Sequence, residues 1–179
     1  MGLGKTVQAI AAMVSLRNTG ETHFIVVCPA SVLSNWCREI KKMSLLRPIK
    51  VHGTGRDSAL KHWINAGGVA VTTYETTGRL EMPEGFKFGM LVVDEAHYVK
   101  NPKARRSINV KELCESTGRL LFMTGTALEN KVDEMIELID VLQPKVAVKV
   151  RPLAALPQAP LFQQEVAPVY YRRKREDVL

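Results

Sequence analysis

The sequence predicts an α/β fold, a parallel β-sheet with helices on both faces. Three features carry the prediction. Strand-like and helix-like segments alternate along the chain, the order that builds βα units. Strand-like runs such as HFIVVCPA and MLVVDEAH hold unbroken apolar stretches, as strands buried on both faces require. Helix-like segments end at glycines, namely Gly20, Gly67 and Gly118. With 179 residues, 46% hydrophobic and 24% charged, the chain is long enough for one domain with a substantial core.

Each element has its own justification. Residues 5–18 have helical spacing, with Val7, Ile10, Ala11 and Val14 on one side. HFIVVCPA follows as a buried strand, and SVLSNWCREIKK as a helix with Ser31 as its expected cap. IKVHG is a short strand, RDSALKHWINAG a helix, VAVTTY a strand, and MLVVDEAH a strand ending in acids. KARRSINVKELCESTG is a helix and RLLFMTGT the next strand. NKVDEMIELIDVL places Val132, Met135, Ile136, Ile139 and Leu142 on one stripe behind Asn130 as cap. Right-handed crossovers join such strands, and ligands bind beyond their carboxyl ends. From Leu142 onward the pattern gives way to a Pro-rich basic connector, with five of the nine prolines and seven Lys/Arg against three Asp/Glu. Trp36 and Trp63 sit at helical positions and are expected in the core.

The net charge of +7 favours a polyanionic partner such as nucleic acid. Cys28, Cys37 and Cys114, an odd count without C-x-x-C spacing, argue against a disulfide framework or a zinc site and predict plain buried or half-buried thiols. No apolar run approaches the ~18 residues of a membrane span, and no secretory signal pattern is visible. The expected setting is cytoplasmic, nucleoid or nuclear.

Three motifs carry chemistry. MGLGKT ends like a phosphate-binding loop, G-x-x-x-x-G-K-[ST], with a helix directly after it. Gly2 and Gly4 would let backbone N–H groups turn toward an anion, Lys5 would reach the phosphates, and Thr6 would ligate Mg²⁺. The loop's first glycine position falls before Met1. M-G-x-x-x-[ST] also fits an N-myristoylation pattern, which explains nothing else in the chain. LVVDEAH delivers Asp94 and Glu95 at a strand end: Asp94 for the Mg²⁺ shell, Glu95 to orient and polarise the attacking water. The bland alternative is an acidic pair that caps a helix. His97 directly follows, and could link this site to a neighbouring loop. In FMTGTALEN, Thr124, Gly125 and Thr126 form a hydroxyl-rich turn at another strand end.

Together these motifs resemble the first RecA-like lobe of the superfamily-two helicase motors, and within them the Snf-type (Swi/Snf-like) DNA-translocating ATPases. Six segments match in family order: MGLGKTVQAI, VVCPASVLSNWCREI, VTTYE, VVDEAHYVKNP, TGTALEN and YYRRKREDVL. The resemblance implies a RecA-like P-loop NTPase lobe over residues 1–143, incomplete at the N-terminus, and a connector over 144–179 toward a second RecA-like lobe. It implies ATP and Mg²⁺ as ligands, and duplex DNA as a partner tracked without strand separation. Residue by residue, it assigns Gly2, Gly4, Lys5 and Thr6 to nucleotide binding, Thr6 and Asp94 to Mg²⁺, and Asp94, Glu95 and Lys5 to catalysis. It assigns His97, Thr124, Gly125 and Thr126 to coupling. Ser31, Ser34 and Asn35, and Thr72, Thr73 and Tyr74, would touch the DNA backbone. Ser31 is open to both the capping and the DNA reading, and Arg172 to Arg175 to a hinge or a phosphate contact.

The family's strand before the loop and its second lobe, with its arginine fingers, have no counterpart in this sequence. The expectation is therefore a fragment, weak or inactive as an ATPase alone, whose sheet lacks the strand that launches the loop. A catalytically silent nucleic-acid-binding remnant is the alternative.

Overall fold

The structure, a computed structural model, describes residues 5–99, 101 and 103–123, with backbone alone at His97 and Phe122. Its elements in chain order are α1 (Lys5–Asn18), β1 (His23–Cys28), α2 (Leu33–Met43), β2 (Pro48–Lys50), α3 (Arg56–Ala66), β3 (Gly68–Thr73), β4 (Met90–Asp94), α4 (Arg105–Cys114) and β5 (Leu120–Met123). All strand pairs are parallel and the sheet order is β2-β3-β1-β4-β5. The predicted α/β class is what forms.

The order explains where the helices lie. The path from β1 to β2 runs one way across the sheet, whereas the later steps run the other way. Right-handed crossovers then place α2 on one face and α3 and α4 on the opposite face. The core divides accordingly. Ala9, Ile10 and Met13 of α1 and Leu33, Trp36 and Ile40 of α2 pack on Phe24, Val26, Val71 and Val92. Leu60 and Trp63 of α3 and Val110 and Leu113 of α4 pack on Ile25, Val27, Ala70, Leu91 and Val93. Each buried Val, Leu, Ile, Phe or Met side chain among these contributes about 1.5–3 kcal/mol relative to exposure.

Three local expectations change. The buried face of α1 is Ala9, Ile10 and Met13, while Val7 is 47% exposed and Ala11 faces out. Apolar residues occur all round this helix, so spacing alone left its orientation open. Ser31 does not cap α2: it sits within a 3₁₀ turn, Ala30–Val32, and the cap position Val32 makes no side-chain cap bond. α4 ends at Cys114, before Gly118, because Glu115, Ser116 and Thr117 already take its terminal carbonyls in turn-type bonds. The thiols are as expected: Cys28 is buried, and Cys37 and Cys114 are half-buried, all free. Burial pushes Cys28 well up and Cys114 up to about 12, so both stay protonated at neutral pH. The stripe behind Asn130 and the connector over 144–179 lie outside the described residues.

The α3–β3 junction is the tightest point. Gly67 and Gly68 have φ of +78° and +108°. A Cβ on Gly68 would lie 2.6 Å from the Arg47 carbonyl oxygen, and one on Gly67 2.7 Å from that of Thr22. Gly68→Ala is therefore expected to destabilise the fold by at least ~2 kcal/mol, combining left-handed strain with a backbone clash. Conversely, the Thr72 hydroxyl is buried with no hydrogen-bond partner among the described residues. Thr72→Val keeps its shape and removes the orphaned group, and should stabilise by about 1 kcal/mol. Denaturant midpoints at unchanged m-value measure both. A midpoint that falls for Thr72→Val would contradict the assignment of the orphan.

Candidate functional site

The carboxyl ends of the strands form one edge. Register aligns Cys28 with Thr73 across β1 and β3, Val27 with Val93 across β1 and β4, and Asp94 with Met123 across β4 and β5. β4 alternates into the two core layers, with Val92 on the α2 side and Val93 on the α3 side. Asp94 therefore emerges on the side of α2, where Trp36 meets it.

Asp94 is buried, and both of its carboxylate oxygens accept a hydrogen bond. The backbone N–H of Glu95 donates to Oδ1 at 2.9 Å. The indole N–H of Trp36 donates to Oδ2 at 2.9 Å. From the opposite side, the Tyr74 hydroxyl donates to the carbonyl of Asp94, with that of Glu95 also within reach at 3.3 Å. Burial first, and then the nearby Asp94 charge, push the Tyr74 phenol well above its ordinary value, so it remains a donor. Tyr74 also stacks on Tyr98 at 5.4 Å, and the Arg106 guanidinium lies 5.2 Å from the Tyr98 ring centroid.

Glu95 has φ of +53°, the single left-handed non-glycine among the described residues. Such strain costs of order 1–3 kcal/mol and persists where surrounding contacts over-determine it. Here the contacts include the Tyr74 hydroxyl and the Asp94 carboxylate. This turn brings Glu95 Oε1 to 3.9 Å from Nζ of Lys5, the first residue of α1, with side-chain exposures of 29% and 13%. Residues ninety apart in sequence thus meet at one edge. The first turn of α1 holds no acidic residue, and Thr6 is half-buried within it.

The other expected residues divide. Ser31 and Ser34 are exposed and Asn35 half-buried at the start of α2, near the same edge. Thr72, Thr73 and Tyr74, also expected to touch the DNA backbone, are buried at the end of β3. Tyr74 supports the acids, Thr73 shares hydrogen bonds with Thr76 and His52, and Thr72 is fully buried. His97 lies in a 3₁₀ turn, Ala96–Val99. Gly2, Gly4, Thr124, Gly125 and Thr126 lie outside the described residues. Sequence reasoning placed Trp36 in the core, where it is, and missed its bond to Asp94. The available signal was chemical: a buried indole N–H needs an acceptor.

Comparison with known proteins agrees with this layout. The chain is 31% identical over 207 residues to the ATP-dependent helicase fft1 of Schizosaccharomyces pombe, covering all of this chain and 22% of that protein. It is 39% identical over 155 residues to the human SWI/SNF-related matrix-associated actin-dependent regulator of chromatin subfamily A member 1, covering 82% of this chain and 15% of that one. Among solved structures it is similar to the Sulfolobus solfataricus SWI2/SNF2 ATPase core in complex with dsDNA. That match has a TM-score of 0.72 and 28% identity, over 96% of this chain and 38% of the other. The chain thus spans less than a quarter of the length of these two relatives. Residues 1–167 match the SNF2-related domain, and the chain belongs to that family as a RecA-like lobe of its helicase-like ATPases.

Proposed function

We propose that this chain binds Mg²⁺–ATP at the carboxyl edge of its sheet, as the nucleotide lobe of a DNA-dependent Snf-type ATPase. The observation that carries this reading is the approach of Lys5, at the start of α1, to Glu95 in the acid-bearing turn.

The donor set suits the ligands. Mg²⁺ is usually held by one or two carboxylates with waters and substrate phosphates, not by an all-protein cage. Among the described residues no group of three or more His, Cys, Asp or Glu could form such a cage. Asp94 presents a carboxylate that two N–H donors orient, and Thr6 offers a hydroxyl in the first turn of α1. When bound, the metal neutralises charge developing on the phosphates. Lys5 binds the phosphates as a point charge, supported by the partial positive charge of the α1 N-terminus. Phosphates that engage Lys5 compete with Glu95 for it, leaving the Glu95 carboxylate to orient and polarise the attacking water. Gly2 and Gly4 complete the phosphate loop, and His97 and Thr124 to Thr126 couple nucleotide state to DNA.

Exposed Ser31 and Ser34, with Asn35, meet the DNA backbone, positioning it without reading sequence. The solved relative bound to dsDNA supports duplex DNA as the partner. A second RecA-like lobe supplies what this one lacks for efficient turnover, and residues 144–179 lead toward it.

Titration of the 179-residue chain with a fluorescent ATP analogue in Mg²⁺ tests the reading. Lys5→Ala should weaken binding at least tenfold, about 1.4 kcal/mol. Glu95→Gln should stay within about threefold of the wild type, because its role lies in the chemical step. Equal affinity of Lys5→Ala and wild type would overturn the nucleotide site. Salt-sensitive DNA binding that ignores Lys5→Ala, without nucleotide binding, would instead favour the silent remnant.

A further inference from the structure

We propose that Trp36 is a positioning residue for the Asp94 carboxylate, holding it in the orientation that serves Mg²⁺. The inference rests on the reading of Asp94 as part of the Mg²⁺ shell and adds a residue to which only a core role fell.

A carboxylate at the end of an Asp side chain turns on a soft, roughly two-fold torsion. In this chain that torsion is held from two directions. Oδ1 takes the N–H of the next residue, a contact that any tight turn can supply. Oδ2 takes the indole N–H of Trp36, fifty-eight residues earlier on another element. An indole has one donor and no acceptor, so this bond satisfies its polar group. The Trp36 ring is 2% exposed and packs among Ile10, Met13, Leu33, Ile40 and Val92, so the donor direction is set by the core. Each oxygen keeps a lone pair for a metal or its bound water. Outer-shell partners of this kind orient ligands, and their loss typically costs 10–100-fold in metal affinity.

Position adds to the argument. Trp36 directly follows Ser34 and Asn35 on α2, so the segment that presents polar groups at the surface also grips the acid. Trp63 is an internal contrast: equally buried, with its N–H donated at 2.9 Å to the Gly68 carbonyl, and packed on the other face. The chain has only these two tryptophans.

The test titrates Mg²⁺ into the 179-residue chain with a fluorescent ADP analogue. Trp36→Phe should raise the half-saturating Mg²⁺ concentration about tenfold, while affinity for the nucleotide without metal is retained. Trp63→Phe, which likewise removes an indole N–H bond at 2.9 Å, should stay within twofold of the wild type. Asp94→Asn must shift the Mg²⁺ midpoint; if it does not, the reading of Asp94 falls, and this proposal with it. If Asp94→Asn shifts the midpoint and Trp36→Phe does not, the Trp36 role alone is overturned. Should Trp36→Phe fail to fold, ¹⁵N-tryptophan labelling of the wild type decides, with Trp63→Phe assigning its two indole N–H signals. The Trp36 signal should move when Mg²⁺ is added to the ADP-bound chain while that of Trp63 stays. A Trp36 signal that stays in place overturns the proposal.

Discussion

Asp94 places a carboxylate in a buried position at the end of a central strand, and that placement is tolerable only because its oxygens are supplied with donors. Desolvating a charged carboxylate costs several kcal/mol in a real protein. Hydrogen bonds to a charged group return about 1.5–3 kcal/mol each. The bonds from the Glu95 N–H and the Trp36 indole are therefore conditions for this strand end to exist as it does. Tyr74 adds a clamp from the other side of the sheet by donating to the Asp94 carbonyl, with that of Glu95 also within reach. The acid pair is thus held by three elements, β4 itself, α2 and the end of β3.

This arrangement also accounts for the left-handed Glu95. A turn of that hand is unfavourable for a residue with a Cβ, and it is held where neighbouring bonds leave no relaxed alternative. Its consequence is directional. The chain leaves β4 in such a way that the Glu95 carboxylate faces the start of α1 and approaches Lys5. Opposite charges, a helix N-terminus and an oriented acid converge where parallel sheets place their ligands. Among the described residues, Arg105 and Arg106 lie exposed at the start of α4.

Much of this was legible in the chain. The unbroken apolar runs of β1, β3 and β4 can hardly serve any role but strands buried on both faces, and the structure puts them at the centre of the sheet. Glycine marked the ends of α1 and α3, because Gly20 and Gly67 take positive φ. The acids Asp94 and Glu95 were read at a strand end, and β4 does end at Asp94; the family resemblance put them with the Gly-Lys-Thr segment, whose Lys5 the structure brings to Glu95. Where the reading slipped, the local signal was degenerate. α1 is apolar on several sides, so its buried face could be chosen only by the sheet it meets. Ser31 has the right chemistry for a cap, but a 3₁₀ turn places the helix start two residues later.

What the sequence determined alone was the alternation of elements, the class of fold and the chemical types of the side chains available at the strand ends. These follow from periodicity, from backbone freedom at glycine and from side-chain chemistry, all properties of near neighbours. The tertiary structure decided which polar side chains meet. That Trp36 grips Asp94, that Tyr74 turns inward to the acid-bearing turn, and that Lys5 reaches Glu95 are outcomes of strand order and helix packing. Those contacts join residues 20 to 90 positions apart, and no local pattern encodes such a pairing, because it exists only once the sheet has brought the strand ends to a common edge.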